Sequence, residues 1–217
     1  MDGRIDPTAR IYSWVRVGEG TTIGEFSVIG KPFRLVHGVE EDAGGLTVLG
    51  TQCQIGCHVV IGRGTVVGDD CVIDNGTRIE SDVTFGIECL VLYGGQICND
   101  ARLGNRCIIG GFVCERAVLG GNCRVFGKLV HKQLDPTNGW DDAVEPSPTL
   151  EDDVFVGFDA LAIGPVVVGR NAYICAGAII TKNVPAYSVA YGINRIVDRR
   201  DWKGPLSGSP FFIKGKR

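Results

Sequence analysis

From Leu49 to Ile109 the chain places an apolar residue at every sixth position without a break. The positions are Leu49, Ile55, Ile61, Val67, Ile73, Ile79, Phe85, Val91, Ile97, Leu103 and Ile109. With 44% of the chain hydrophobic, eleven apolar residues in one phase arise by chance about once in ten thousand. The residue after each is usually Gly, Asp or Glu, as in Gly50, Gly56, Gly62, Gly68, Asp74, Glu80 and Gly86. The residue two before is mostly small: Thr47, Cys53, Val59, Thr65, Cys71, Thr77. A fixed hexapeptide period of this kind marks a β-solenoid.

A longer period lies on top of the short one. Cys53, Cys71, Cys89 and Cys107 recur every 18 residues, which is three hexads. Three hexads closing one triangular coil would stack these thiols on one corner as an internal ladder. Each coil would rise about 4.8 Å and each side would run about 20 Å, from ordinary strand dimensions. The competing reading is a disulfide or metal framework. The same slot accepts Thr, Val, Ala and Gly, which favours the packing reading.

The chain has 217 residues, the length of one domain with an appendage. Its 22 Lys and Arg against 25 Asp and Glu argue against a general nucleic-acid binder. No stretch joins a basic head to an apolar core, and no apolar run reaches the length of a membrane span. The expectation is a cytoplasmic protein, with its nine cysteines reduced. The 32 glycines are spaced by the hexad, so their role is in turns.

The hexad begins at Ile5 and continues through Ile11, Val17, Ile23 and Ile29. The glycines from Gly18 to Gly24 follow hexad phase and open no helix, so they are not a nucleotide-binding loop. Phase breaks between Ile29 and Leu49, and residues 31–46 read as a loop extruded from the coil. That loop carries Arg34, His37, Glu40, Glu41 and Asp42, either as binding residues or as a solvated acidic turn. A slip of two residues follows Ile109, with Val113, Leu119 and Val125 next in phase and Cys123 in the small slot, consistent with one tightened coil. Residues 131–149, rich in Asp, Pro, Asn and Gly, read as the largest loop. Phase then returns at Leu150 and runs through Val156, Ala162, Val168, Ile174, Ile180 and Ala186. The sum is 26 hexads, or eight to nine coils, as a β-helix domain over residues 1–190.

From Tyr191 the repeat is lost, so residues 191–217 read as a tail. It holds Arg195, Arg199, Arg200, Lys203, Lys214, Lys216 and Arg217 among Trp202, Phe211 and Phe212. Such a tail would cap exposed strand edges, or supply cations to a phosphorylated ligand.

With these residues in hand, the chain resembles the hexapeptide-repeat acyltransferases, most of all the sugar and nucleotide-sugar N-acetyltransferases. The resemblance spans nearly the whole repeat and sharpens over residues 148–197, PTLEDDVFVGFDALAIGPVVVGRNAYICAGAIITKNVPAYSVAYGINRIV. It implies an all-β fold, a left-handed parallel β-helix, whose hand comes from kinship because crossovers are otherwise right-handed. Relatives place a catalytic histidine just before an extruded loop that often reads His-Pro-Leu-Asp-Pro. Here the matching stretch is His131-Lys132-Gln133-Leu134-Asp135-Pro136, one residue longer and without the adjacent proline. The resemblance therefore assigns His131 as general base.

The chemistry asks for such a group. A sugar amine or hydroxyl attacking a thioester must lose a proton as the bond forms, and an imidazole with a pKa near ~6.5 suits that step. The oxyanion needs donors, for which backbone N–H groups of the coil wall are suited. His37 and His58 read as surface residues.

For the donor, the resemblance implies acetyl-CoA, another acyl-CoA or an acyl-carrier protein, lying along the closing coils between subunits of a homotrimer. The small residues matching that groove are Ala160, Ala176 and Gly177, the family's Thr-Lys pair falls on Thr181 and Lys182, and Arg195 falls near a basic residue that follows a Gly-Asn-Pro turn in relatives. This chain reads Gly192-Ile193-Asn194-Arg195 there, one residue shorter and without the proline.

The leading expectation is acetylation of an amino group on a sugar, nucleotide-linked, with no metal, nucleic acid or membrane partner. The preference for nitrogen rests on a solenoid that starts at residue 5, without the helical segment of some O-acetyltransferase relatives. O-acetylation of a small alcohol or antibiotic is the nearest alternative. A zinc lyase like the carbonic-anhydrase branch of the fold would need three converging histidines, and His37, His58 and His131 are far apart in sequence. A non-catalytic scaffold is the third reading.

Overall fold

The hexad positions form the inside of a triangular prism. The computed structural model describes residues 3–32, 35–36, 39–40, 45–132 and 145–204. Short strands stack in parallel into three sheets, one per face. The first face has nine strands, from Arg10–Ile11 to Ile179–Ile180. The second has eight, from Val15–Val17 to Val167–Val168, and the third has ten, beginning at Thr22–Ile23. The 18-residue ladder is the backbone register itself: Ile55 pairs with Ile73, and Ile73 with Val91. Ile61, Ile79, Ile97 and Ile109 are fully buried. Each such side chain contributes about 1.5–3 kcal/mol of burial.

Three local rules hold the coils. Two residues before each core position, a small side chain donates to a carbonyl one coil on. Thr21 Oγ1 reaches the Gly50 carbonyl at 2.7 Å, Thr65 Oγ1 that of Glu80 at 2.7 Å, and Cys89 Sγ that of Gly104 at 3.2 Å. Cys53, Cys71, Cys107 and Cys123 do the same, so the thiol column is a hydrogen-bonded ladder without disulfides. Two residues after the core position, an Asn or Asp oxygen accepts the corner N–H of the preceding coil. Asp69 accepts from Thr51 at 2.6 Å, Asn75 from Cys57 at 2.7 Å and Asn105 from Ile87 at 3.0 Å. Three residues after it, the backbone turns through left-handed φ, as at Asp70 (57°), Asn122 (57°) and Gly177 (68°). Asn, Asp and Gly pay the least for that conformation, which explains their spacing.

The structure departs from the hexad reading in three places. Ala186 is exposed, because the chain after Ile180 takes a short turn and Val184 pairs with Val168 instead. Ile5 is 47% exposed, since among the described residues it pairs on one side alone, with Ile23. The slip after Ile109 occurs twice. Val113 pairs with Leu129 as well as with Ile97, so two successive coils each lack two residues where the third face turns into the first.

The tail reading also changes. Tyr191 still belongs to a strand, Ser188–Tyr191, which pairs in parallel with Tyr173 and Ile174. Arg195–Asp198 returns antiparallel to it and ends the ladder. Arg199 is buried, donating to the Asn171 carbonyl at 3.1 Å, and Arg200 pairs with Asp198 at 3.0 Å. Arg199 is therefore structural, while Arg200 stays on the surface. Lys214, Lys216, Arg217, Phe211 and Phe212 lie outside the described residues.

Both loops leave the prism at the same corner, between the first and second faces. The 31–46 segment departs after Val28–Lys31 and re-enters at Thr47–Leu49, with a two-stranded antiparallel ladder at residues 35–36 and 39–40. The 131–149 segment departs after Lys128–Val130 and re-enters at Thr149–Leu150. His37 and residues 133–144 lie outside the described residues. No helix of the described residues is long and apolar enough to cross a membrane.

Candidate functional site

His131 follows the strand Lys128–Val130 at the loop corner. It stands two residues after the core residue Leu129, the slot that holds Asn or Asp in other coils. That slot faces the preceding coil, which accounts for a buried Nδ1 without a partner among the described residues. Nε2 points the other way and meets the Glu145 carboxylate at 2.9 Å. The His131 side chain is 29% exposed and that of Glu145 14%. A half-shielded carboxylate on one ring nitrogen fixes the ring plane.

The neck of the loop is tied behind this pair. Lys132 N–H donates to the Pro146 carbonyl at 3.0 Å, and Ser147 Oγ donates to the carbonyl of Glu115. Beneath it lie two thiols, Cys98 and Cys114. Burial pushes Cys98 up to about 12 and Cys114 up to about 11, so both stay protonated and neither acts as a nucleophile at neutral pH.

Glu145 and Ser147 carry no sequence signal of their own. The loop holds several acidic residues, and only re-entry of the chain decides which one faces His131.

The other expected site residues fall in two groups. Thr181 and Lys182 follow Ile179–Ile180, which pairs with Leu161–Ile163, which pairs in turn with the strand before His131. They share the loop corner with His131, two coils or about 10 Å along the axis. Thr181 is bound to Asn194, its N–H donating to Oδ1 at 2.8 Å and its hydroxyl accepting from Nδ2 at 2.9 Å. Arg195 is exposed beside Asn194, and Lys182 is exposed. Ala176 and Gly177 lie at the far end of the same first-face strand, exposed, where the third face turns into the first. Ala160 is fully buried in the small slot before Ala162, so its methyl group serves the core and not the outer wall.

His58 adopts φ 56° at a corner and stacks on Phe26 at 5.2 Å, an outward turn position as expected. Among the described residues, no three His, Cys, Asp or Glu side chains are grouped to share a metal ion.

Comparison with known proteins agrees with the fold. The family described as the hexapeptide repeat of succinyl-transferase matches residues 47–79 and 149–182. The bifunctional protein GlmU of Geotalea daltonii is 40% identical over 67 residues, which is 31% of this chain and 15% of that protein. GlmU of Psychrobacter cryohalolentis is 40% identical over 65 residues, 30% of this chain and 14% of its own length. The chain thus spans about a seventh of the curated relatives it matches. Among solved structures, the UDP-N-acetylglucosamine acyltransferase of Francisella novicida superposes with a TM-score of 0.51 at 17% identity. The match covers 94% of this chain and 76% of that one, and it shows a shared fold.

Proposed function

We propose that this chain, a hexapeptide-repeat protein folded as a left-handed β-helix, is an acyltransferase that moves an acetyl group from acetyl-CoA to an amino group of a nucleotide-linked sugar. The observation that carries this reading is the His131–Glu145 pair at the neck of the loop. The acceptor nitrogen attacks the thioester carbon while His131, held by Glu145 through Nε2, takes the nitrogen's proton at Nδ1. Nδ1 is buried, so the step requires the ring or the neck to shift and uncover it. The tetrahedral intermediate collapses with cleavage of the carbon–sulfur bond, and the proton on His131 goes to the departing thiolate. Amide and free thiol are the products, so atoms and charge balance. The amine enters neutral.

Thr181, Lys182 and Arg195 support a donor running along the loop corner, with two exposed cations for its phosphates. Ala176 and Gly177 keep the neighbouring corner low. Ala160 would contribute only its backbone. A homotrimer would bring a second prism against this surface and enclose the donor between subunits.

The test is thiol release from acetyl-CoA, measured across amino-sugar nucleotides, aminoglycosides and simple sugars. Release with an amino-sugar nucleotide, and its loss in His131→Ala, is the expected result. Full activity of His131→Ala would remove His131 from the role of base, and a preference for hydroxyl acceptors would replace N- by O-acylation.

A further inference from the structure

The outer wall of the third face differs from that of the second. On the second face the outward position after the core is glycine in every coil from Gly50 to Gly120. On the third, the outward residues one place before the core are large and mostly apolar. They stand in register from coil to coil: Val72 with Leu90, Leu90 with Ile108, Ile108 with Arg124, Arg124 with Phe155 and Phe155 with Tyr173. One place after the core, Leu92 and Phe126 close over Gly110, where an added Cβ would lie 3.1 Å from Leu92 Cδ1 and 3.0 Å from Phe126 Cδ1. Ring contacts at 5.6 Å and 5.3 Å carry the surface from Phe126 to Phe155 and on to Tyr173. The result is an apolar strip, interrupted by Arg124, that climbs about 24 Å from Val72 to Tyr173.

The upper end of this strip is covered by the chain's own continuation. Tyr173 and Val189 are register partners on the outer wall, yet they are 4% and 0% exposed, with Trp202 and Val197 packed against them. Trp202 also meets the Tyr191 ring at 5.4 Å. Lower down, Val72, Leu90, Leu92 and Ile108 are partly exposed. A contiguous apolar wall of this kind marks a contact surface. Its border is graded in charge. Asp70 and Glu88, both exposed, stand two residues before Val72 and Leu90, and Asp74 stands two after Val72. Arg106 and Arg124 stand on the coils above.

Thirteen residues follow Gly204, all outside the described residues, and they contain Phe211-Phe212-Ile213 and then Lys214, Lys216 and Arg217. We propose that this segment docks on the third-face wall of its own chain. Phe211, Phe212 and Ile213 take the strip between Phe155 and Leu90, and the basic end lies toward Glu88, Asp70 and Asp74. The reach suffices. Phe211 is seven residues past Gly204, a span of up to about 23 Å. The descent from Tyr173 to Ile108 is three coils, about 14 Å. The order of the segment also matches the wall, aromatic where the wall is apolar and basic where acids border it. Arg106 and Arg124 disfavour the reverse placement, with the basic end on the upper coils. Trp202 shows the same cover beginning at the top of the strip. The segment so placed lines the side of the prism, while the hairpin to Arg195–Asp198 ends the ladder.

The experiment puts the photo-crosslinker p-benzoyl-phenylalanine at position 212 of the full chain and maps the irradiated products by mass spectrometry. The expected product has the mass of one chain and is joined at Leu90, Leu92, Ile108 or Phe155. Leu90→Glu and, independently, Leu92→Glu should each cut its yield about 10-fold, with the far-UV circular dichroism of the parent chain retained. Lys214→Gln combined with Lys216→Gln should lower the yield and flatten its dependence on salt. Without the crosslinker, Phe211→Ser combined with Phe212→Ser should bare the wall and raise the fluorescence of anilinonaphthalene sulfonate several-fold. Both phenylalanines lie outside the hexad phase, so this variant keeps the core of the prism. Crosslinks confined to another face, products of two-chain mass, or dye fluorescence unchanged in the serine variant each overturn the proposal. A fall of oligomer mass in Leu90→Glu at unchanged crosslink yield overturns it too, and assigns the wall to a subunit contact.

Discussion

Glu145 Oε2 stands 2.9 Å from His131 Nε2, across the neck of a loop whose two ends leave and rejoin the prism at one corner. The histidine comes from the outgoing end and the carboxylate from the returning end. Their meeting depends on closure of the neck, which the Lys132–Pro146 backbone hydrogen bond and the Ser147–Glu115 contact provide.

If this pair performs the proton transfer, His131→Ala lowers kcat by about 10²- to 10⁴-fold in the thiol-release assay. Glu145→Gln lowers it less, by about 10- to 100-fold, because the ring remains and only its orientation and charge partner are lost. The loss should fall on kcat and leave KM for the acyl donor near its original value. An equal fall in both variants of the folded fraction, seen by circular dichroism, would make the pair structural.

The thiol column predicts a pattern that hydrophobicity alone does not. Cys89→Ser and Cys89→Thr keep a donor on the Gly104 carbonyl, as Ser27 and Thr65 do in their own coils. Cys89→Ala removes it and should cost about 1 kcal/mol. Cys89→Leu overfills the slot and should cost about 1–3 kcal/mol. Urea unfolding of the four proteins orders them; an alanine variant as stable as the serine one would count against the ladder.

Hydrogen bonds from Thr51, the backbone N–H first, hold the Asp69 carboxyl below the usual carboxylate range. A depressed carboxylate contributes stability above its unfolded pKa of about 3.9, and that contribution is lost as pH falls through the folded value. Asp69→Asn keeps an acceptor in the slot, as Asn75 and Asn105 show, and removes its titration. The urea midpoint of the asparagine variant should therefore fall less steeply between about pH 4 and pH 2 than that of the parent chain. Parallel acid limbs would show that this corner does not report pH.

At Gly177 the backbone has φ 68°, yet an added Cβ would meet nothing within 4 Å. Gly177→Ala should thus cost about 1–2 kcal/mol from conformation alone. Gly177→Asn should cost less, since Asn122 and Asn171 hold the same turn at 57° and 56°. Thermal unfolding of both variants checks this, and an alanine variant no less stable than the asparagine one would contradict it.

Lys182 and Arg195 are expected to act through charge. Lys182→Gln and Arg195→Gln should each raise KM for acetyl-CoA several-fold with little change in kcat, and the effect should shrink as salt is added. A change confined to kcat would move these residues out of the donor site.

The period of six by itself determined the prism. Each coil repeats the same short-range demands: an apolar residue inward, a small donor two places before it, an Asx oxygen two places after it and a left-handed turn at the third. Because those demands recur locally, reading every sixth residue found the buried positions from Ile23 to Ile180 and placed both loops. The same periodicity put Ala186 inside, where a short turn ahead of Val184 moves the phase, since a two-residue slip costs nothing that one hexad can register.

Only the tertiary structure decided which groups face one another. Glu145 reaches His131 across a loop with no period to predict its return. Asn194 locks Thr181 because a hairpin folds back over the last coil. Two coils shorten at the same corner, between the third and first faces, and not at successive ones. Such juxtapositions depend on the summed path of the chain around the prism. A repeat fixes each step of that path, while the corner at which a step is omitted is a property of the whole coil.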